Sequence, residues 1–103
     1  MPYSAYQRGR LFEYRVKREL EALGLIVFRF AKSAPFDLIA FAPNGRIYLV
    51  ECKLGKRKPY LRDNQLALYE ALREHHDVKL LLINSANKNE VLSKLASEIF
   101  SEA

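Results

Sequence analysis

The stretch that most constrains the fold is a pair of short apolar runs, FDLIAF and RIYLVECK, over residues 36–41 and 46–53. Apolar, mostly β-branched or aromatic residues dominate both runs, which is typical of strands. Between them lies the sequence PNG, in which Asn44 and Gly45 tolerate the positive φ angles of a tight turn. The pattern therefore predicts an antiparallel hairpin.

The remaining periodicities place helices and strands on both sides of this hairpin. Apolar residues recur at helical spacing over residues 4–23, and a further strand-like run follows them. The second helix is expected to have Asp63 as its N-cap. The predicted order is α-β-β-β-α-β-α, over residues 4–23, 25–30, 36–41, 46–53, 63–75, 78–83 and from 87. The helix between strands three and four suggests a parallel crossover, so we expect an α/β fold with a mixed central sheet flanked by helices.

Length and cysteine content limit the class of protein. A chain of 103 residues is enough for one domain, taken as residues 1–103, and not for two. The single cysteine, Cys52, cannot form an internal disulfide, so nothing indicates an oxidising compartment. No apolar run approaches the ~20 residues that span a bilayer, and the N-terminus has no apolar signal segment. The sequence predicts an intracellular, cytoplasmic protein that is not bound to a membrane.

The charge of the chain is unevenly distributed. Residues 1–62 contain 13 Lys or Arg and 5 Asp or Glu, whereas residues 63–103 contain 4 and 7. A basic half beside a mildly acidic half indicates a face that binds a polyanion. The alternative is a surface that is charged only for solubility or thermal stability, and charge alone does not separate the two.

Two carboxylates and a lysine interrupt the apolar hairpin at one end. Strand alternation places Glu51 and Lys53 on one face, and hairpin pairing brings Asp37 beside them on the neighbouring strand. Two carboxylates ~4.5 Å apart repel each other by roughly 3–4 kcal/mol at an effective dielectric of ~20. Lys53 offsets part of this, and a divalent ion bound by both would offset more. Oxygen ligands suit Mg²⁺ or Mn²⁺. The alternative is an exposed strand end with no metal.

Three other features accompany these residues. Glu13 lies beside the apolar stripe of the first helix, where it could approach the strand pair or simply pair with Lys17 one turn later. Ser33 lies in the loop before the second strand. Gln65 and Tyr69 are four residues apart on the second helix, just after a basic loop, and could equally be ordinary surface and core residues.

Taken together, these residues resemble the archaeal-type Holliday junction resolvases (Hjc and Hje) of the PD-(D/E)XK, or restriction-endonuclease-like, nuclease superfamily. The resemblance runs from about residue 6 to residue 69. Its motifs are QRGRLFE with Glu13, VFR with Arg29, AKSAPFDLIA with Ser33 and Asp37, and VECK with Glu51 and Lys53. A helix glutamate, a serine four residues before the aspartate and a 13-residue gap to E-x-K form a fairly specific combination.

The resemblance implies a Mg²⁺-dependent endonuclease, with Mn²⁺ as a substitute. It implies that Asp37 and Glu51 bind the metal with help from the backbone carbonyl of Cys52, and that Glu13 completes the site directly or through water. Lys53 would orient the attacking water or stabilise the pentacovalent phosphate. Ser33 would act from its loop near the scissile phosphate.

The implied substrate is branched DNA, specifically the four-way junction, cut by paired phosphodiester hydrolysis. The two cuts are related by near two-fold symmetry, so a homodimer with two sites is expected. Gln65 and Tyr69 look like the Q-x-x-x-Y element of related nucleases and are possible accessory residues. The resemblance and the basic loop together predict phosphate contacts for Arg8, Arg10, Arg29, Lys32, Lys56, Arg57, Lys58 and Arg62.

Two other functions stay open at this point. One is a related nuclease that nicks other branched or single-stranded DNA. The other is a DNA-binding module without catalysis, against which the intact Asp37, Glu51 and Lys53 argue.

Overall fold

A four-stranded mixed sheet forms the centre of the computed structural model, which describes residues 3–101. In space the strands lie in the order β1-β2-β3-β4; the first two pairs are antiparallel and β3 and β4 are parallel. The predicted α/β fold with a mixed sheet flanked by helices is confirmed. The elements are α1 (Ala5–Ala22), β1 (Ile26–Arg29), β2 (Leu38–Phe41), β3 (Ile47–Lys53), α2 (Asp63–Arg73), β4 (Val78–Asn84) and α3 (Lys88–Ser101).

Most element ends lie one or two residues from the predicted bounds, and two further local features differ from the sequence prediction. The loop between β1 and β2 contains a short 3₁₀ helix, Ala31–Ser33. The N-cap of α2 is Arg62 and not Asp63, which is the first helical residue. The side-chain oxygen of Gln65 accepts the Arg62 backbone N–H at 2.9 Å and so closes the first turn one residue earlier than expected.

Helix α1 begins and ends where its local sequence allows. Ser4 and Gln7 form a capping box: the Ser4 hydroxyl accepts the Gln7 N–H at 3.1 Å, and the Gln7 side chain accepts the Ser4 N–H at 2.9 Å. The chain leaves the helix at Gly24, whose φ of +97° belongs to the left-handed region that favours glycine.

The sheet has a hydrophobic cluster on each face. One cluster packs α1 and α3 against the sheet and includes Val16, Leu20, Val50 and Leu95. The other lies under α2 and is centred on Phe36, Leu49 and Val78. Alternate residues of β3 thus point to opposite clusters, which holds this strand rigidly in place.

The topology brings the start of β2 and the end of β3 to the same edge of the sheet. Leu38 pairs with Val50, so Asp37, just before β2, lies opposite Glu51. None of the helices within residues 3–101 is long and apolar enough to cross a membrane.

Candidate active site

Backbone groups of the opposite strand hold the carboxylates of Asp37 and Glu51. The Asp37 backbone N–H donates to Glu51 Oε1 at 3.1 Å, and the Cys52 N–H donates to Asp37 Oδ2 at 2.7 Å. Each side chain therefore accepts a hydrogen bond from the neighbouring strand, just beyond the last paired residues of β2 and β3, Leu38 and Val50. The predicted adjacency of these two residues is a direct result of the hairpin register.

The electrostatic environment of the pair disfavours two negative charges. Burial raises the pKa of Asp37, and the Cys52 N–H and the Ser33 hydroxyl oppose that shift in part. Burial, and then repulsion by Asp37, raise the pKa of Glu51 to about 7. Within residues 3–101, no lysine or arginine nitrogen lies at ion-pair distance from either carboxylate. Among the described residues, Arg29 and Arg62 attract the pair only from beyond ion-pair distance, and each slightly opposes the upward pKa shift of its nearer carboxylate.

Gln65 supports this pair from the first turn of α2. Its side chain is only 1% exposed, donates to the Pro35 carbonyl at 2.7 Å and hydrogen-bonds to Glu51. Tyr69, its predicted companion, is not brought to the carboxylates. The Tyr69 ring packs in the cluster under α2, and the Arg73 guanidinium lies 5.2 Å from its centre.

Glu13 has a different environment although it is about as buried as Asp37. Arg29 Nε donates to its Oε1 at 2.6 Å, and Ser33 Oγ donates to its Oε2 at 3.3 Å. The alternative pairing with Lys17 does not occur, because Lys17 pairs with Glu21 at 3.0 Å. Ser33 also hydrogen-bonds to Asp37, so its hydroxyl lies between the helix carboxylate and the strand pair.

The loop that presents Ser33 is conformationally unusual. Lys32 and Ser33 have φ angles of 56° and 51°, in the left-handed region that non-glycine residues seldom adopt. Such residues cost on the order of 1–3 kcal/mol and cluster at functional sites. Here the unusual backbone points the serine hydroxyl at two carboxylates.

Two cavities meet over the end of β3. The helix-side cavity is lined by α1 residues and by the β1–β2 loop: Ala5, Tyr6, Arg8, Gly9, Arg10, Glu13, Arg29, Ala31, Lys32, Ser33, Cys52, Lys53 and Leu54. The loop-side cavity contains the carboxylate pair and is lined by Ser33, Asp37, Glu51, Cys52, Lys53, Arg57, Lys58, Pro59, Tyr60, Arg62 and Gln65. Because Ser33, Cys52 and Lys53 belong to both, the cavities join beside the carboxylates.

Seven of the eight predicted DNA-contact residues line these cavities. Arg8, Arg10, Arg29 and Lys32 line the helix-side cavity. Arg57, Lys58 and Arg62 line the loop-side cavity, whereas Lys56 lines neither.

The sequence prediction missed the residues that anchor the basic loop. Asn84, buried at the end of β4, donates from Nδ2 to the backbone carbonyls of Lys56 and Arg57 at 3.3 and 3.2 Å. The Gly55 N–H donates to Ser85 Oγ at 2.8 Å. Polar residues at the carboxyl end of a buried parallel strand were the available signal, since Asn84 is the register partner of Lys53.

The donor set at this edge fits a magnesium ion with few protein ligands. Among residues 3–101, no three His, Cys, Asp or Glu side chains are grouped so that they could hold a metal by themselves. Arg29 holds Glu13, so the three carboxylates are not a ready-made metal cluster. Mg²⁺ is commonly bound by only one or two carboxylates and keeps several waters. A pair of mutually repelling carboxylates, one buried and one partly buried, in an open cavity of about 660 Å³ meets that requirement.

In comparisons with protein-family models, with curated proteins and with solved structures, none matches this chain. The resemblance to the junction resolvases therefore stays a prediction from motifs. The function is therefore inferred from the chemistry of the site.

Proposed function

We propose that the protein is a metal-dependent DNA endonuclease in which Asp37 and Glu51 bind Mg²⁺, or Mn²⁺ in its place. One observation carries the proposal: a buried and a partly buried carboxylate, Asp37 and Glu51, lie side by side without an ion-pair partner among the described residues, inside a cavity with a basic rim. A divalent cation relieves their repulsion, and the rim attracts the phosphates that such a cation would activate.

The neighbouring residues supply what phosphodiester hydrolysis requires. Lys53 is exposed where the two cavities join, so its charge can stabilise a phosphate at the carboxylates. The backbone carbonyl of Cys52 is the proposed third metal ligand. Glu13 contributes through Ser33 and Arg29 because both of its oxygens are already hydrogen-bonded.

The proposed substrate is branched DNA, with the four-way junction as the specific case. The basic first half of the chain and the two basic cavities support a polyanionic substrate. The preference for a four-way junction comes from the sequence resemblance alone.

A homodimer would place two such sites on one junction. The edge strand β1 and its neighbour leave an apolar face, Ile26, Phe28 and Phe41, exposed to solvent. The Phe28 and Phe41 rings meet edge to face at 6.4 Å. An uncovered aromatic face on an edge strand is suited to pairing with a second copy.

Cleavage of matched substrates tests the proposal. Four-way junction, flap, single-stranded and duplex DNA are incubated with wild-type protein, Glu51→Gln or Glu70→Gln, in Mg²⁺ and in EDTA. Glu70 is an exposed α2 carboxylate outside both cavities and serves as the control. We expect cleavage only with metal, lost in Glu51→Gln and kept in Glu70→Gln.

The outcomes separate the candidate functions. Paired cuts in the junction support a resolvase, whereas single nicks in flaps or single strands support the related nuclease. DNA binding with no metal-dependent cleavage of any substrate would leave only the binding module.

A further inference from the structure

Two exposed tyrosines lie on either side of the carboxylate site. Tyr6 lines the helix-side cavity and is 72% exposed, and Tyr60 lines the loop-side cavity and is 80% exposed. Neither ring packs into the hydrophobic clusters formed by the described residues. Tyr6 and Tyr60 differ from Tyr3, which is also exposed, because each lies beside cationic side chains in a cavity that opens onto the site.

Tyr6 belongs to a row of alternating rings and guanidinium groups. Arg10 donates to the Tyr6 hydroxyl at 3.4 Å, and its guanidinium lies 5.8 Å from the centre of the Tyr14 ring. The Arg29 guanidinium lies 5.1 Å from the centre of the same Tyr14 ring. The row leads from Tyr6 towards Glu13 and the Ser33 loop.

Tyr60 is exposed although its neighbours in the chain are anchored. Pro59 before it is buried, and Leu61 after it packs in the cluster under α2. The same cavity wall contains Arg57, Lys58 and Arg62. Because both neighbours are anchored, the Tyr60 ring is exposed to solvent in a fixed position beside these cationic side chains.

Aromatic rings among cations are the means by which proteins bind single-stranded nucleic acid. Cations follow the phosphates while rings stack on the faces of bases. A base in a continuous duplex has both faces covered by its neighbours and offers the protein only its edges. A stacking ring therefore selects nucleotides that are unpaired or splayed.

We propose that Tyr6 and Tyr60 are stacking platforms for two unpaired bases, one on each side of the phosphate held at the carboxylates. The position of that phosphate rests on the proposed function, whereas the stacking itself does not require catalysis. The substrate class is thereby narrowed to DNA whose bases beside the cleaved phosphate are unpaired or splayed, and a four-way junction qualifies when its paired bases splay there.

Binding without metal tests the stacking. A single-stranded oligonucleotide containing 2-aminopurine and the matching duplex are titrated in EDTA with wild-type protein and with Tyr6→Ala, Tyr60→Ala, Tyr6→Phe and Tyr60→Phe. Tyr3→Ala is the matched control, because Tyr3 is 60% exposed and lines neither cavity. Thermal melts check that each variant folds.

We expect each alanine variant to weaken single-strand binding by roughly 5- to 100-fold and to reduce the quenching of 2-aminopurine. Duplex affinity should change less than two-fold, and the phenylalanine variants should behave like wild type, because the ring and not the hydroxyl stacks. Tyr3→Ala should have no effect. Equal losses on single strand and duplex, a loss with Tyr3→Ala, or no loss at all would overturn the proposal.

The two proposals fail in different ways. Stacking without metal-dependent cleavage would refute the nuclease and support the platforms. Cleavage that is insensitive to both alanine variants, together with unchanged single-strand binding, would refute the platforms and leave the nuclease in place.

Discussion

Glu13 and the Asp37–Glu51 pair are buried or partly buried carboxylates at one site, but their partners differ. Glu13 is 7% exposed and is bonded to the Arg29 guanidinium; Asp37 is 9% exposed and, with Glu51, is held by backbone N–H groups and Gln65. Neutral N–H donors orient a carboxylate but leave its negative charge unbalanced. An arginine orients the carboxylate and also balances its charge. The comparison shows which carboxylates the fold has neutralised and which it has left for an external cation.

The largest expected effect is on the cleavage rate, which should depend far more on Asp37 and Glu51 than on Glu13. Asp37→Asn or Glu51→Gln should lower the single-turnover cleavage rate by about 10³-fold or more, because each removes a proposed metal ligand worth several kcal/mol in the transition state. Glu13→Gln should lower it by much less. DNA binding in EDTA should persist or strengthen in the strand variants. Near wild-type cleavage by either strand variant would remove that residue from the site.

The free energy of unfolding without metal should also distinguish Glu13 from the Asp37–Glu51 pair. Arg29→Met leaves the Glu13 carboxylate buried without its partner, and should lower the free energy of unfolding in EDTA by about 2–4 kcal/mol. Adding Glu13→Gln to that variant should restore part of the loss. Glu51→Gln should instead leave stability unchanged or increased, because it removes the repulsion between Glu51 and Asp37. Urea unfolding monitored by circular dichroism measures all three; equal destabilisation by Arg29→Met and Glu51→Gln would contradict the comparison.

Lys53 should act on the reacting phosphate and not as a counter-ion for the carboxylates. Lys53→Ala is expected to lower the cleavage rate at saturating DNA by about 10²-fold and to change affinity only slightly, since a cation at this position acts where charge develops. Single-turnover rates and anisotropy titrations give the two quantities. Weaker binding with an unchanged rate at saturation would reduce Lys53 to an ordinary phosphate contact.

The smallest expected effect is a pH dependence of stability in EDTA. Because the folded protein raises the pKa of Glu51 to about 7 from an ordinary value near 4.5, the folded state binds this proton more tightly than the unfolded state does. Its stabilisation is complete below about pH 4.5 and is lost as the pH rises through about 7. The carboxyl group is only partly buried, so solvent screening limits the effect to about 1 kcal/mol.

Chemical denaturation at several pH values, for wild-type protein and Glu51→Gln, isolates this contribution as the difference between the two curves. Mg²⁺ should reverse the trend in the wild-type protein, because the metal binds the deprotonated pair. Parallel curves for the two proteins would show that Glu51 titrates normally.

The sequence by itself determined the hairpin and the adjacency of its carboxylates. Strand alternation and an Asn-Gly turn are local properties, and together they set a register in which Asp37 must lie opposite Glu51. Helix α1 and the α/β class followed from periodicity in the same way. Cys52 is partly buried against the cluster that packs α1 and α3 on the sheet, in agreement with its position on the opposite face from Glu51.

Only the tertiary structure decided which partners these side chains acquire. Gln65 and Tyr69 share a helix face, but four residues are about 6 Å of rise, so the carboxylates near the helix start meet Gln65 alone. The Glu13–Arg29 pair spans 16 residues, and the contacts of Asn84 with the basic loop span 27 and 28. Periodicity shows only which face of an element is buried, whereas such contacts depend on how separate elements pack together in space. For that reason the sequence identified the charged residues of this site, and the packing determined which of them were neutralised.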